Sequence, residues 1–412
     1  MPAHHESVFL PVSQRILAFV PSIGIVSETF ITDSLAGLAV VGADLTVATG
    51  HVAPHGLPPE VTVTHAPLLH LTRLSDRLAS RLGLVPEWSP ARDTAFDRSA
   101  ARVVDSLLAQ VRPDVAYLEY GAMLARLAAP LQAAGVPFVA HLHGHDVTAS
   151  LGDGGYRAAL AAGLAAAAAV VVASEHMRRL AVLAGAPPRR VVMVPLGIGL
   201  DGTVPLPWAE RRRLPPRIVF FGRLVPKKHP VALIEAFAIV AASRPDVGLD
   251  IIGDGAERCH AEARAVTRGV AARVRFHGAL PRHAGLAIVR EAWIYAQHSV
   301  TSFTGDQEGF GLTIAEAAAL ELPVVSTLHN GIPEQVINGE TGLLVPEYDY
   351  EGMAAALMAL LDDPDRCAAL GSAGRRRVLS GYQPRRRWER LAAILSEACA
   401  PSHGLATGRS FG

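Results

Sequence analysis

The stretch TGDQEGFGLTIAEAAALELPVVSTLHN, Thr304 to Asn330, decides how the rest of the chain is read. It carries two glutamates, Glu308 and Glu316, with seven residues between them. Glu308 falls in a glycine-bearing loop. Glu316 falls about a turn into a helix that should begin near Leu312 and end before Pro323, because the residue ahead of a proline avoids helical dihedrals. Between the carboxylates, Gly309-Phe310-Gly311-Leu312-Thr313 runs straight into that helix. Unpaired backbone N–H groups and the positive end of the helix dipole therefore converge on one spot, which makes an anion site. Pro323-Val324-Val325-Ser326 then reads as a short apolar strand, placing the loop at the edge of a βα-type sheet, where open α/β folds bind ligands. The plain alternative for the same letters is an Ala-rich amphipathic helix with a glycine entry loop. A second half of the anion site is needed to choose.

That half stands at Phe220-Phe221-Gly222-Arg223-Leu224-Val225-Pro226-Lys227-Lys228, just after the apolar run Ile218 to Phe221. Strand, glycine turn and two kinds of cation are what gripping a diphosphate requires. Lys227 and Lys228 are the only lysines among 38 basic residues, the rest being arginine. A solvated turn explains the cations but not the choice of lysine.

With both pieces in view, the chain resembles retaining glycosyltransferase family 4, nucleotide-sugar-dependent enzymes with two Rossmann-like α/β domains facing a central cleft, the GT-B fold. The resemblance covers nearly the whole chain and rests on the E-x7-E pair with the upstream G-R-L-V-x-x-K segment. It implies that Glu308 contacts the donor sugar, Glu316 the ribose hydroxyls, and Arg223 and Lys228 the diphosphate. It also implies an acceptor-side domain over 1–203, a nucleotide-sugar domain over 204–380, a helix over 381–400 crossing back to the first domain, and a loose tail over 401–412. Proline and glycine thicken between Gly202 and Pro216, as an interdomain hinge requires.

A length of 412 residues allows two domains, and 50% hydrophobic with 18% charged residues describes a well-buried globular protein. A net charge of zero argues against nucleic acid, which wants a basic face. Cys259, Cys367 and Cys399 have neither disulfide nor zinc spacing. The apolar run Ala158 to Ala173 is interrupted by Gly163 and is too short to span a membrane. Without a signal-peptide pattern, the expectation is a cytoplasmic enzyme with membrane contact at most peripheral. Three arginine triplets, 211–213, 375–377 and 385–387, read as solvated faces, with anionic lipid as the rival partner.

Strands alternate with Ala/Leu/Arg-rich helical stretches along the whole chain, the pattern of parallel sheets covered on both faces. After the first strand, Ile16 to Val20, Gly24 makes a turn and Ser27-Glu28-Thr29-Phe30 opens a helix. Ser27 as an N-cap explains these letters locally. The stretch is also similar to family members that build exopolysaccharides, in which this loop borders the acceptor. Two strand ends carry polar residues that a core would not request: Glu119-Tyr120, and His141-Leu142-His143-Gly144-His145-Asp146. A zinc site is not expected here, the alternating histidines being read as thrown to opposite sides of an extended chain. The family's His-Gly-x-Asp matches His143, Gly144 and Asp146, with His143 beside the donor sugar; Asp146 alone also reads as a helix cap. Pro195-Leu196-Gly197-Ile198-Gly199 departs from the family's Asn-Gly turn. Val274-Arg275-Phe276-His277-Gly278 corresponds to the family's base-binding stretch, which implies base contacts from the backbone of Phe276 and Gly278.

The resemblance implies transfer of a hexose-like sugar from a nucleoside diphosphate to a hydroxyl of a glycan, glycolipid or small molecule, with retention and with neither metal nor other cofactor. Exopolysaccharide or glycoconjugate synthesis is the expected setting. A phosphorylase or epimerase on the same fold, and a non-catalytic two-domain sugar-binding protein, are the rival readings.

Overall fold

The computed structural model of the protein describes residues 14–24, 29–53, 56–66, 90–200 and 202–399. Short runs of aliphatic and β-branched residues form two sheets. The first contains β1 (Arg15–Val20), β2 (Asp44–Thr49), β3 (Thr62–His65), β4 (Val115–Glu119), β5 (Phe138–His141), β6 (Ala169–Val172) and β7 (Val191–Met193). They pair in the order β3-β2-β1-β4-β5-β6-β7. The second contains β8 (Arg217–Phe221), β9 (Gly248–Ile252), β10 (Val274–Gly278), β11 (Ile294–Ala296), β12 (Val324–Thr327) and β13 (Gly342–Val345), ordered β10-β9-β8-β11-β12-β13. All the pairings within these sheets are parallel, with Phe19 opposite both Ala48 and Leu118. Parallel strands need cover on both faces, and β4 and β9 are buried at every position.

Each sheet reverses its strand order once, between β1 and β4 and between β8 and β11. At such a point the outgoing loops part to opposite faces and leave a crevice at the carboxyl ends. The two crevices face each other. One continuous hydrophobic cluster joins them, running from Phe19 and Leu118 through Met177 and Phe310 to Ile314 and Leu344.

The last helix, Pro384–Cys399, packs on the first sheet rather than the second. It buries Leu391, Ala392, Ile394 and Leu395 there, the two leucines and the isoleucine each adding roughly 1.5–3 kcal/mol of gross hydrophobic free energy. Trp388 lies over Gly37, where a Cβ would sit 2.2 Å from the indole, so only glycine admits the ring.

The arginine triplets are not simply solvated, because each turns at least one arginine inward. Arg211 is fully buried and donates to the carbonyls of Leu320 and Glu321 at 2.8 Å and of Arg290 at 3.2 Å. Arg377 donates to Glu334 O at 2.6 Å and Gln335 O at 2.9 Å. Arg387 donates to Val194 O and Pro195 O, both at 2.9 Å. A guanidinium has five donors and can satisfy several loop carbonyls at once, which composition alone does not disclose.

Candidate active site

A cleft of about 660 Å³ lies between the two domains. On its second-domain wall Lys228 Nζ is 2.8 Å from Glu308 Oε2 and 3.2 Å from Gln297 Oε1. The Tyr295 hydroxyl donates to Gln297 Oε1 and lies 2.9 Å from Thr313 Oγ1. The end of β11 thus holds both the lysine and the first turn of the helix Leu312–Ala319. Lys227 turns to the neighbouring loop, with Nζ 3.2 Å from Asp306 Oδ1 and 3.1 Å from Gln307 O. Arg223 is exposed on the cleft wall, and its guanidinium makes no ion pair with another described residue.

Burial works to raise the pKa of Glu308, but the ammonium groups of Lys228 and Lys227 outweigh it and hold the carboxyl at about 2. It is ionised at neutral pH and can only accept hydrogen bonds. The helix that follows starts at Leu312 and ends at Ala319, ahead of Pro323 as its sequence requires. Its N-cap, Gly311, has φ +82°, a left-handed conformation that a side chain would strain, and no side chain caps the helix. Gly309, Phe310, Gly311, Leu312 and Thr313 all line the cleft. The opposite end of the helix is closed by cations: Arg211 on Leu320 and Glu321, and Arg375 on Ala319 O. The negative pole is neutralised while the positive pole stays open to an anion.

Glu316 lines the cleft but is only 1% exposed. Arg282 grips its Oε1 from Nε at 2.8 Å and from the terminal nitrogen at 2.7 Å, and also donates to Gly199 O of the first domain. Sequence reasoning assigned Glu316 and missed Arg282, because an arginine after Pro281 at a helix start carries no signal of its own. Neither Phe276 nor Gly278 lines the cleft, whereas Ala279, Leu280 and Arg282 just beyond them do. The β10 register slips between Phe276 and Gly278, Gly278 O is occupied by Gly253 N–H, and Phe276 packs on the second core.

On the first-domain wall, Gly24 and His143 line the cleft; Ser27 and Glu28 lie outside the described residues. Asp146 is buried beneath the wall, where it accepts the His143 backbone N–H at 2.8 Å and caps the turn Gly144–Val147. The expectation for the histidines is overturned. Residues two apart in an extended chain share a side, so His141 and His143 both reach Glu119, with ring centroids 4.5 Å apart. The ligating atoms of Glu119, His141 and His143 lie within 4.8 Å of one another, a donor set that could hold a metal. Those donors are already engaged: the Tyr117 hydroxyl is 2.6 Å from His141 Nδ1, and the Arg387 guanidinium is 3.5 Å from His141 Nε2. A fixed cation beside the rings works against a second, divalent one.

The walls are tied together by contacts that sequence reading did not foresee. Glu334 accepts the backbone N–H groups of Glu175 at 2.8 Å and His176 at 3.0 Å, so it caps the first-domain helix Glu175–Leu183 from the second domain. Ser174 Oγ donates to Gly309 O at 2.7 Å. A Cβ on Gly144 would lie 3.0 Å from Gln307 O, so glycine lets the walls approach. These partners are more than a hundred residues apart in sequence.

Two Rossmann-like domains, facing each other across a cleft that carries paired cations, an open helix N-terminus and two carboxylates, define the GT-B class of glycosyltransferases. The family described as "Glycosyl transferase 4-like domain" matches residues 27–197, and "Glycosyl transferases group 1" matches residues 209–377. The chain is 30% identical over 308 residues to a GDP-mannose-dependent monoacylated alpha-(1-6)-phosphatidylinositol monomannoside mannosyltransferase of Corynebacterium glutamicum, covering 72% of this chain and 80% of that protein. It is 36% identical over 211 residues to a GDP-mannose-dependent alpha-(1-6)-phosphatidylinositol monomannoside mannosyltransferase of Mycolicibacterium smegmatis, covering 49% of this chain and 55% of that protein. The fold matches that of HepE from Anabaena in complex with UDP-glucose, with TM-score 0.72, 19% identity, and coverage of 93% of this chain and 99% of that one. The chain belongs to glycosyltransferase family 4.

Proposed function

We propose that this chain transfers a hexose-like sugar from a nucleoside diphosphate to a hydroxyl of a glycan, glycolipid or small molecule, with retention of anomeric configuration and without a metal ion. One observation carries the reading: Arg223, Lys228 and the uncapped amides ahead of Leu312 share a cleft wall with the ionised Glu308. As the glycosidic bond breaks, negative charge grows on the β-phosphate, where those cations and amides would stabilise it without reorganising. Glu308 accepts hydrogen bonds from the sugar, and Glu316, steadied by Arg282, takes the ribose. The departing phosphate accepts the acceptor's proton on the face it leaves. The first-domain wall around Gly24, Phe30 and His143 receives the acceptor.

Among the described residues no helix is long and apolar enough to cross a membrane. The names of the relatives put GDP-mannose first among donors to try, and polysaccharide or glycoconjugate synthesis as the setting. The test is to screen purified protein against GDP-mannose, UDP-glucose and further nucleotide sugars, reading melting temperature and slow donor hydrolysis. A donor at a hundred times its Kd adds about 2.7 kcal/mol of stability, which a melting curve resolves. Hydrolysis should persist in a chelator. If no nucleoside diphosphate or its sugar stabilises the protein, the reading fails.

A further inference from the structure

We infer that His329 is a positioning residue of this site: its unprotonated Nε2 accepts the backbone N–H of Glu308 and so sets where that glutamate meets the transferred sugar. The inference rests on reading the cleft as a sugar-transfer site with Glu308 beside the sugar. His329 lies just past β12, fully buried, and its Nε2 is 3.1 Å from Glu308 N. A backbone N–H can only donate, so Nε2 must offer a lone pair. Asn330 Nδ2, 2.8 Å from the same nitrogen, points to the same answer. The ring proton then belongs on Nδ1, which is 2.6 Å from Glu347 Oε1. The other oxygen of Glu347 accepts the Thr301 N–H at 2.8 Å, which holds the carboxylate in place as an acceptor. Thr301, Glu347 and His329 therefore form a chain that runs from the segments beyond β11 and β13 to the Glu308 amide.

Burial, with His176 nearby, holds the pKa of His329 below its ordinary 6.5 against the pull of Glu347 and Glu308. The ring is thus neutral at neutral pH, and the acceptor persists. The rest of the loop is tethered through other groups: Ser174 Oγ donates to Gly309 O at 2.7 Å, and the Gln335 amide donates to Phe310 O. A Cβ on Gly331 would lie 2.4 Å from Gly309 O, so the turn after His329 fits under the loop only as glycine. The carboxylate of Glu308 is held separately, by Lys228 at 2.8 Å. Of these tethers, only His329 holds the backbone of Glu308 itself. A displacement of about 1 Å at a catalytic group costs on the order of a hundredfold in rate. The bland alternative is that His329 and Glu347 only tie the end of β12 to the end of β13.

Long-range proton–nitrogen spectra of protein labelled with 15N-histidine read the tautomer directly, with His329 assigned by its loss in a His329→Gln variant. The Nδ1–H tautomer is expected. Two variants then separate positioning from tying. The amide oxygen of His329→Gln reaches the place of Nε2 and can accept the Glu308 N–H, whereas His329→Leu fills the space and accepts nothing. With a donor that stabilises the wild type, His329→Leu should lose kcat by roughly tenfold or more while donor KM stays within about twofold, and His329→Gln should keep kcat within about threefold. Hydrogen exchange at the Glu308 amide should quicken in the leucine variant and stay slow in the glutamine one. An Nε2–H or doubly protonated ring in the wild type near neutral pH overturns the inference whether or not either variant folds. So does a His329→Leu protein that keeps its kcat, or a His329→Gln protein as impaired as His329→Leu. Failure of every nucleotide sugar to stabilise the wild type would strike the sugar-transfer reading, and the tautomer and the Glu308 exchange would still decide the anchor.

Discussion

Lysine occurs twice in this chain, and both copies line one cleft. Arginine would bring a wide, forked guanidinium; Lys228 brings a compact charge that fits 2.8 Å from Glu308 in a nearly buried niche. Removing it takes a cation from the diphosphate and leaves Glu308 without its nearest counter-charge. Lys228→Ala should therefore lower kcat by roughly a hundredfold and also lower the melting temperature. Arg223→Ala should lower kcat comparably but leave the melting temperature unchanged, because Arg223 is exposed; kinetics and melting curves on the two variants check the contrast. Glu308 and Glu316 should separate in a different way. Glu316→Gln weakens binding common to ground and transition states and raises donor KM, whereas Glu308→Gln, beside the reacting sugar, lowers kcat. Finding the two effects exchanged would reverse the assignments. The lysines, carboxylates and glycine loop were legible because each is a local pattern. Arg282 and Glu334 gained roles only from partners far along the chain, so no window of sequence displayed them.

The helix Leu312–Ala319 shows how an element is prepared for a ligand at one end by what is done at the other. Its glycine entry could be read from the letters, but the two guanidiniums that close its exit could not, since they arrive from residues 211 and 375. Arg211→Met would orphan several buried carbonyls at about 1–3 kcal/mol each. Unfolding in denaturant should show a loss of at least about 3 kcal/mol for Arg211→Met and almost none for the exposed neighbour Arg212→Met. Strand elements were legible in proportion to their burial. Continuous apolar runs such as Ile218 to Phe221 announced themselves, whereas the half-exposed edge strand Thr62–His65 alternates weakly, and Gly342–Val345 hides behind a glycine turn. That glycine is required, because a Cβ at Gly342 would lie 2.4 Å from Val324 O on the paired strand.

For the whole molecule, buried titratable groups set the response to acid. Burial pushes His141 and His298 from 6.5 to about 4, and the ring nitrogens of His298 have no hydrogen-bond partner among the described residues. Unfolded histidines take up protons near pH 6.5 while the folded ones resist until about 4, so stability falls as pH drops through that window. Burial works against ionising Asp306 and Glu308, but pairing with His145 and Lys227 in one case and with Lys228 in the other holds both at about 2. Their contribution is present above their ordinary values of 3.8 and 4.5 and is lost as pH falls towards 2. Denaturant unfolding across pH should thus be flat above about 7 and decline in two stages, and His298→Leu should flatten the first. The return of Pro384–Cys399 to the first sheet has a consequence for manufacture. On the ribosome, the second sheet is complete while the first still waits for Leu391, Ala392, Ile394 and Leu395, so the second domain matures as an insertion within the first. A stop codon ahead of Pro384 would accordingly damage the half of the molecule that was synthesised earliest.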